Sequence, residues 1–292
     1  MAEPLGSEQP RILQLPRDCL VVRGPDRKAW LDGLLTCAVT AVVPGTAGYG
    51  LLLTKQGKIV SDVFLVESGS ELFVGVAPGK GDEVRELLDR YLVMEDAELE
   101  APRSPLAFYV TSTAQSLPGE LAGGVLAVSS LKANVGVAAP GVAGADAAGF
   151  AELWAAHGLG VFGVDFGPRD NPHEASLDRV AVNWSKGCYL GQEVVCMQDM
   201  RGKVKRRLVA LEGGAELLAR VDGPSDVCLP DGSVAGQVSS VHPLGSGARL
   251  LASLSTSALE SHAVLSVRGA PVRVVETSAA NGVGAPPGGK VS

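Results

Sequence analysis

The chain is poor in the residues that build compact metal and disulfide modules. It has five cysteines in 292 residues: Cys19, Cys37, Cys188, Cys196 and Cys228. The number is odd and no two stand at C-x-x-C spacing, which argues against a secreted disulfide scaffold and against a cysteine-rich zinc or iron–sulfur module. The four histidines, His157, His173, His242 and His262, share no short ligand spacing, so no metal site is expected from them. Aromatic residues make up 4%, and apolar burial must rest mainly on Val, Leu and Ala. Basic residues (25) are outnumbered by acidic ones (32) for a net charge of −7, which argues against bulk binding to nucleic acid or an anionic membrane. Apolar runs fall far short of a bilayer span. The first sixteen residues carry Glu3, Glu8, Pro4, Pro10 and Pro16 in place of the apolar stretch of a secretion signal. A cytoplasmic protein with reduced, mostly packed thiols is the expectation, with no membrane association. No G-x-S-x-G elbow, H-E-x-x-H pair or Walker lysine loop is present.

What remains is an ordinary globular composition, 46% hydrophobic and 20% charged, long enough for two domains or one interleaved pair. Short apolar runs at 19–23, 51–54, 59–66, 71–76, 108–111 and 125–129 predict strands, with a hairpin-type turn at Gln56-Gly57-Lys58. Helical spacing predicts helices over 26–35, 81–92 and 150–157, and the start of another over 174–182. Residues 133–149, dominated by Ala, Gly and Val, read as a loop or weak strand. Beyond Lys205 the texture changes to short β-like runs at 207–212, 233–240, 248–254 and 272–275, separated by Gly and Pro. That pattern suits a small β-barrel. The expected organisation is an α+β region over 1–205, a barrel over 206–276 and a disordered Gly/Pro/Ala-rich tail over 277–292.

Two motifs invite functional readings that their context weakens. Gly158-Leu159-Gly160-Val161-Phe162-Gly163 spells the dinucleotide fingerprint, but a helical segment precedes it and a polar turn follows. The fingerprint needs a strand before and a helix after, so a glycine-rich turn is expected instead. Arg201, Lys203, Lys205, Arg206 and Arg207 form a basic strip. It reads as a solvated strand edge, or as a local anion site for a polyglutamate tail or an RNA phosphate.

The segment Lys186-Gly187-Cys188-Tyr189-Leu190-Gly191-Gln192-Glu193 carries more chemistry. Residues 192–197 read as helix. Were the helix to begin near Tyr189, Cys188 would lie at its positive end beside the Lys186 ammonium, and both effects favour thiolate. Gly187 and Gly191 allow close backbone approach to a ligand, while Gln192 and Glu193 offer donors and acceptors for the edge of a heterocycle. Cys196 stands about 12 Å along the same helix, too far for a disulfide with Cys188.

This segment resembles the signature of the YgfZ family of folate-binding proteins, relatives of a mitochondrial iron–sulfur assembly factor and, more distantly, of the glycine-cleavage T-protein. The resemblance extends to Gly24-Pro25-Asp26-Arg27-Lys28-Ala29-Trp30-Leu31-Asp32-Gly33-Leu34-Leu35-Thr36, to Gly57-Lys58-Ile59-Val60-Ser61-Asp62, to Asn171-Pro172-His173-Glu174-Ala175-Ser176-Leu177 and to Arg201-Gly202-Lys203-Val204. It implies a T-protein-like ring of α+β lobes with a small C-terminal β-barrel around a folate-sized cavity. It also implies tetrahydrofolate as ligand, and a role in assembly or repair of iron–sulfur clusters, including those of tRNA-modifying client enzymes. By the same resemblance Lys186, Cys188 and Asp62 are the candidate catalytic residues, and Glu174, Gly187, Tyr189, Gly191, Gln192 and Glu193 the candidate folate contacts. The chain departs from T-proteins in having Ser61-Asp62 where they carry an acidic pair, and in having the Lys-Gly-Cys signature at all. It departs from many YgfZ members in running Val194-Val195-Cys196-Met197-Gln198 where they place an arginine. The competing expectation is a folate-dependent aminomethyl- or methyltransferase of the T-protein class. A third is a non-catalytic scaffold docking clients through the basic strip.

Overall fold

A computed structural model describes residues 11–275 apart from Ala114, Gln115, Pro118, Ala147, Lys203 and His262. The tail expected over 277–292 lies outside the described residues. The first part of the chain forms β1 (Ile12–Leu15), β2 (Asp18–Arg23), α1 (Arg27–Asp32), β3 (Gly45–Leu53), β4 (Ile59–Glu67), β5 (Leu72–Val76), α2 (Gly81–Asp89), β6 (Glu98–Glu100), β7 (Ala107–Thr111), β8 (Ala122–Val128), β9 (Leu131–Ala138), β10 (Ala145–Asp146) and α3 (Gly149–Ala156). These strands make one ten-stranded sheet in the order β10-β1-β7-β9-β8-β3-β4-β5-β2-β6. Pro16 and Arg17 carry the chain from β1, which pairs with β7, to β2, which pairs with β5. This short turn joins the two halves of the sheet, which are also joined where β3 pairs with β8.

β4 is buried at all nine positions because both faces of the sheet are covered. On one side, Leu20, Val63, Leu65 and Val74 pack with Trp30 and Leu31 of α1 and Val84 and Leu88 of α2. On the other, Tyr49, Phe64 and Phe108 pack with Phe150 and Trp154 of α3. That second core continues into Val182, Tyr189, Val195, Leu208 and Leu251, so the sheet, the signature segment and the following barrel share one apolar interior.

Long turns over 157–191 lead to α4 (Gln192–Arg201), then to β11 (Arg206–Gly214), α5 (Leu217–Arg220), β12 (Ser225–Cys228), β13 (Val234–Leu244), β14 (Gly247–Ser255), α6 (Thr256–Glu260), β15 (Leu265–Val267) and β16 (Ala270–Val275). The six strands close into a barrel in the order β11-β14-β13-β12-β15-β16, with β16 pairing back onto β11. The register slips between Val238 and Ser240. At that bulge the Ser239 and Ser240 hydroxyls donate to Asp165 at 2.5 and 2.7 Å, pinning the barrel to the turn region. The architecture is the expected α+β sheet with a small closed barrel.

Three local expectations differ. Residues 131–138 form the full strand β9 between β7 and β8; small residues there hid its pattern, and Gly136 is needed because a Cβ would lie 2.7 Å from Leu117 and Glu120. Residues 174–182 form successive turns, not a helix. Asn171 and Glu174 cap one another reciprocally at 2.9 and 3.1 Å, and Ser176 then turns left-handed at φ 55°, which ends any helical run. Helix α1 stops at Asp32, short of the 26–35 expected. The glycine motif at 158–163 follows α3, and no described helix follows it before α4; it is a turn, with Gly158 and Gly163 at positive φ.

Candidate functional site

Asp62 sits in the middle of β4, paired with Leu51 of β3. Its side chain is 0% exposed and faces Arg17, which is 2% exposed. The guanidinium engages both carboxylate oxygens, Nη1 to Oδ1 at 2.5 Å and Nη2 to Oδ2 at 2.9 Å. The Tyr49 hydroxyl donates to Oδ2 at 3.2 Å, and burial beside this carboxylate pushes the phenol well above its ordinary value. Arg17 also stands 4.8 Å over the Phe64 ring. Phe64, Tyr49, Trp154 and Phe150 stack into one group, with ring centroids 4.8–5.9 Å apart. A carboxylate in this setting is stabilised by charge-assisted bidentate bonding and has no surface to offer. Tetrahydrofolate, the ligand implied by the resemblance, does not fit against Asp62 in this arrangement. Both oxygens are engaged and aromatic rings pack around the pair.

The signature segment is positioned by a separate network. Asn183 accepts from the Ser185 and Lys186 amides at 3.0 and 3.1 Å, closing a turn. Its own amide donates to the Thr36 carbonyl at 2.9 Å. The buried Thr36 hydroxyl donates to Ala181 and accepts from the Leu51 amide. From this turn Lys186 points inward with its side chain 4% exposed. Its ammonium donates to the carbonyls of Asp32, Leu35 (2.8 Å) and Cys37 (2.9 Å), with the Asp32 carboxylate at 3.4 Å. Burial lowers its pKa, opposed by the Asp32 charge. The expectation that Lys186 lends its charge to Cys188 is therefore corrected. The ammonium is spent on the carbonyls that follow α1, as a lysine closing a helix end commonly is.

Cys188 is exposed, and Gly187 beside it has open space where a Cβ would stand. The helix begins at Gln192 with Gly191 as its cap, so Cys188 stands ahead of the helix and not on its first turn, which corrects the expected dipole contact. Tyr189 and Leu190 are core residues on opposite faces of the sheet. The Tyr189 hydroxyl is buried with no hydrogen-bond partner among the described residues. Gly191 adopts φ 82° and lies against the hairpin turn. A Cβ there would stand 2.5 Å from the Thr54 carbonyl and 3.4 Å from Gly57. This glycine serves protein–protein packing between the two motifs, where a ligand contact was expected. Gln192 is half-buried and Glu193 exposed on the first turn of α4.

Glu174 is occupied elsewhere. Besides capping Asn171, it takes the Lys58 ammonium at 3.4 Å and lines a polar cavity of about 380 Å³ at the barrel edge with Asp165, Asp170, Arg206 and Gln237. The structure therefore leaves Gly187 and Cys188 at the surface with Glu193 exposed on α4, turns Lys186 inward, and holds Asp62 and Glu174 in bonds of their own. Of the other cysteines, Cys19 and Cys37 are buried enough to push their thiols up to about 12. Within the basic strip Arg206 pairs with Asp170 at 2.6 Å and Arg207 with Asp178 at 3.2 Å; Lys203 lies outside the described residues. Arg17 was not singled out as a functional residue; its only sequence signal is an arginine in a turn between two strands. Nor was the meeting of His173 and Asp178, from the turns after Asn171, with Asp199 of α4.

No helix in the described chain is long and apolar enough to cross a membrane. No family model matches the sequence. The chain is 28% identical over 266 residues to the aminomethyltransferase of Synechocystis sp. (strain ATCC 27184 / PCC 6803 / Kazusa), an alignment covering 75% of this chain and 70% of that protein. Its fold superposes on the crystal structure of glycine cleavage system aminomethyltransferase T from Bartonella henselae with a TM-score of 0.69, at 14% identity, covering 92% of this chain and 86% of that one. The chain has the T-protein fold, and similarity in sequence and in structure together support its place in the T-protein superfamily.

Proposed function

We propose that this protein is a YgfZ-type member of that superfamily. In this reading it is an accessory protein that works in iron–sulfur cluster assembly or repair through Cys188, and not an aminomethyltransferase. The contrast between two candidate residues carries the reading. Asp62, the carboxylate that a transferase of this class would present to folate, is locked onto Arg17 with no exposed surface. Cys188 is exposed on a loop held from below by Lys186. One thiolate without partner ligands holds no stable cluster, so the thiol acts transiently or together with a group on a client protein. The second reading, a folate-dependent aminomethyltransferase, is favoured by the names of both relatives and requires Arg17 to leave Asp62.

Two experiments separate these readings. Incubation with an aminomethyl donor and tetrahydrofolate yields no one-carbon transfer if the protein is an accessory factor. Turnover that disappears in Asp62→Asn would establish the transferase instead. In cells lacking the native protein, wild type restores the activity of iron–sulfur enzymes and Cys188→Ala does not; equal restoration by both removes the thiol from the proposal. Tetrahydrofolate, which the family resemblance implies as ligand, is tested by calorimetric titration: an absence of binding at high micromolar ligand would remove folate from both readings.

A further inference from the structure

His173 is the least satisfied polar side chain in the region beneath the signature. It is 2% exposed, and neither ring nitrogen has a hydrogen-bond partner among the described residues. Buried imidazoles ordinarily hold at least one partner. The turn that follows Pro172 brings Asp178 to the same spot, with its amide and that of Leu177 both donating to the Pro172 carbonyl. Asp199 arrives from α4. One ligand atom from each residue lies within 4.8 Å of the other two, and His173 Nε2 stands 3.5 Å from Asp199 Oδ1. The Trp184 ring stands edge-on to the imidazole at 6.2 Å, and its indole N–H holds the Asp178 carbonyl at 2.8 Å. The cluster thus has a rigid apolar wall on one side.

We propose that His173, Asp178 and Asp199 form a site for a divalent transition metal of the zinc class. Imidazole and carboxylate are the donors such ions take. Bonds of about 2.0–2.2 Å at tetrahedral angles set neighbouring ligand atoms roughly 3.3–3.6 Å apart. The His173–Asp199 spacing already has that value, and Asp178 closes the third edge by turning its carboxylate. Three protein ligands leave one position open for water or a further ligand.

Two arginines balance the carboxylates when no metal is bound. Arg207 contacts both oxygens of Asp178 at 3.2 and 3.4 Å, and Arg179 lies 3.6 Å from Asp178 and 4.0 Å from Asp199. These are long for ion pairs, and Arg207 is 34% exposed, free to swing into solvent. A dication therefore competes with Arg207 for Asp178. That competition distinguishes a metal site from a charge cluster that merely contains a histidine.

The test uses the full chain carrying Cys188→Ser, which removes the exposed thiol as a rival ligand. Equilibrium dialysis against zinc, with bound metal measured by mass spectrometry, yields one equivalent. Cobalt in its place gives ligand-field bands without a thiolate charge-transfer band. Asp199→Asn, at a partly exposed helix position that leaves the core undisturbed, weakens zinc binding by on the order of 100-fold, and His173→Gln does the same. Arg207→Gln tightens it by about 10-fold. The proposal is overturned by no binding in the Cys188→Ser chain, by binding that Asp199→Asn and His173→Gln leave unchanged, by a thiolate band on cobalt, or by loosened binding in Arg207→Gln.

Discussion

Removing Arg17 alone should damage the fold more than removing its pair with Asp62 altogether. The guanidinium and carboxylate meet at 2.5 and 2.9 Å with 2% and 0% of their side chains exposed. In Arg17→Met the carboxylate keeps one hydrogen bond, from Tyr49 at 3.2 Å, and is otherwise buried. Stranding a buried charge in this way costs about 3–5 kcal/mol. Asp62→Leu strands the guanidinium instead and costs a similar amount. In Arg17→Met/Asp62→Leu no charge remains, and two apolar side chains fill the space among aromatic rings. Apolar replacement of a buried pair is commonly neutral or stabilising, so the double variant should be more stable than either single one. Tyr49→Phe, which removes one hydrogen bond to a charged acceptor, should cost about 1.5–3 kcal/mol. Denaturant unfolding followed by circular dichroism gives the free energies, and tryptophan fluorescence adds a local reporter because Trp154 lies 5.5 Å from Phe64. Single variants within about 1 kcal/mol of wild type, or a double variant as costly as the two singles combined, would refute the reasoning and show that the pair is hydrated in solution.

Lys186→Met removes the donor shared by three carbonyls and should cost about 1.5–3 kcal/mol. It should also speed amide hydrogen exchange across 183–191; unchanged exchange there would mean that the ammonium is not the loop's anchor. Stability should also fall in mild acid. Burial holds the folded values of His157 and His242 below the ordinary 6.5, so the unfolded chain binds more protons as pH drops through 6.5. Their contribution is whole above that pH and declines below it. In a His157→Gln/His242→Gln chain the acid slope should be shallower, and parallel slopes for the two proteins would remove these histidines as its cause.

The parts of the fold that were legible in the sequence are those with an unbroken or periodic apolar signal. β4 is a mostly apolar run covered on both faces, α2 buries Val84 and Leu88 at helical spacing, and short runs between turns become the barrel. In β9, Ala133, Gly136 and Ala138 interrupt the signal of Leu131, Val135 and Val137, and that hid the strand. The 174–182 segment has helical spacing, but Asn171 and Glu174 satisfy the backbone locally and Ser176 turns left-handed, so turns form in place of a helix. At the candidate site, the motif located the loop but not the direction of its side chains. The inward turn of Lys186 depends on carbonyls more than 145 residues away in the chain. The partner of Asp62 is a turn arginine 45 residues distant. Neither relation leaves a local pattern.

The geometry divides the signature between architecture and chemistry. Lys186 closes the chain after α1, Tyr189 and Leu190 fill opposite cores, and Gly191 admits the hairpin turn at Gly57. Each of these residues is needed to fix a loop whose outer side carries Gly187, Cys188 and Glu193 at the surface. A loop anchored so heavily for the display of one thiol is ill suited to enclosing a small substrate, since an exposed group can neither exclude water nor align a donor. In the accessory-protein reading it meets a second macromolecule, which supplies the missing ligands or acceptor. The sealed carboxylate follows the same logic. Asp62 is closed off by its ion pair with Arg17, whereas Cys188 is exposed. In the accessory-protein reading proposed above, the reacting group is therefore the surface thiol and not the carboxylate within the sheet, and what it meets is a surface that docks and not a ligand that enters.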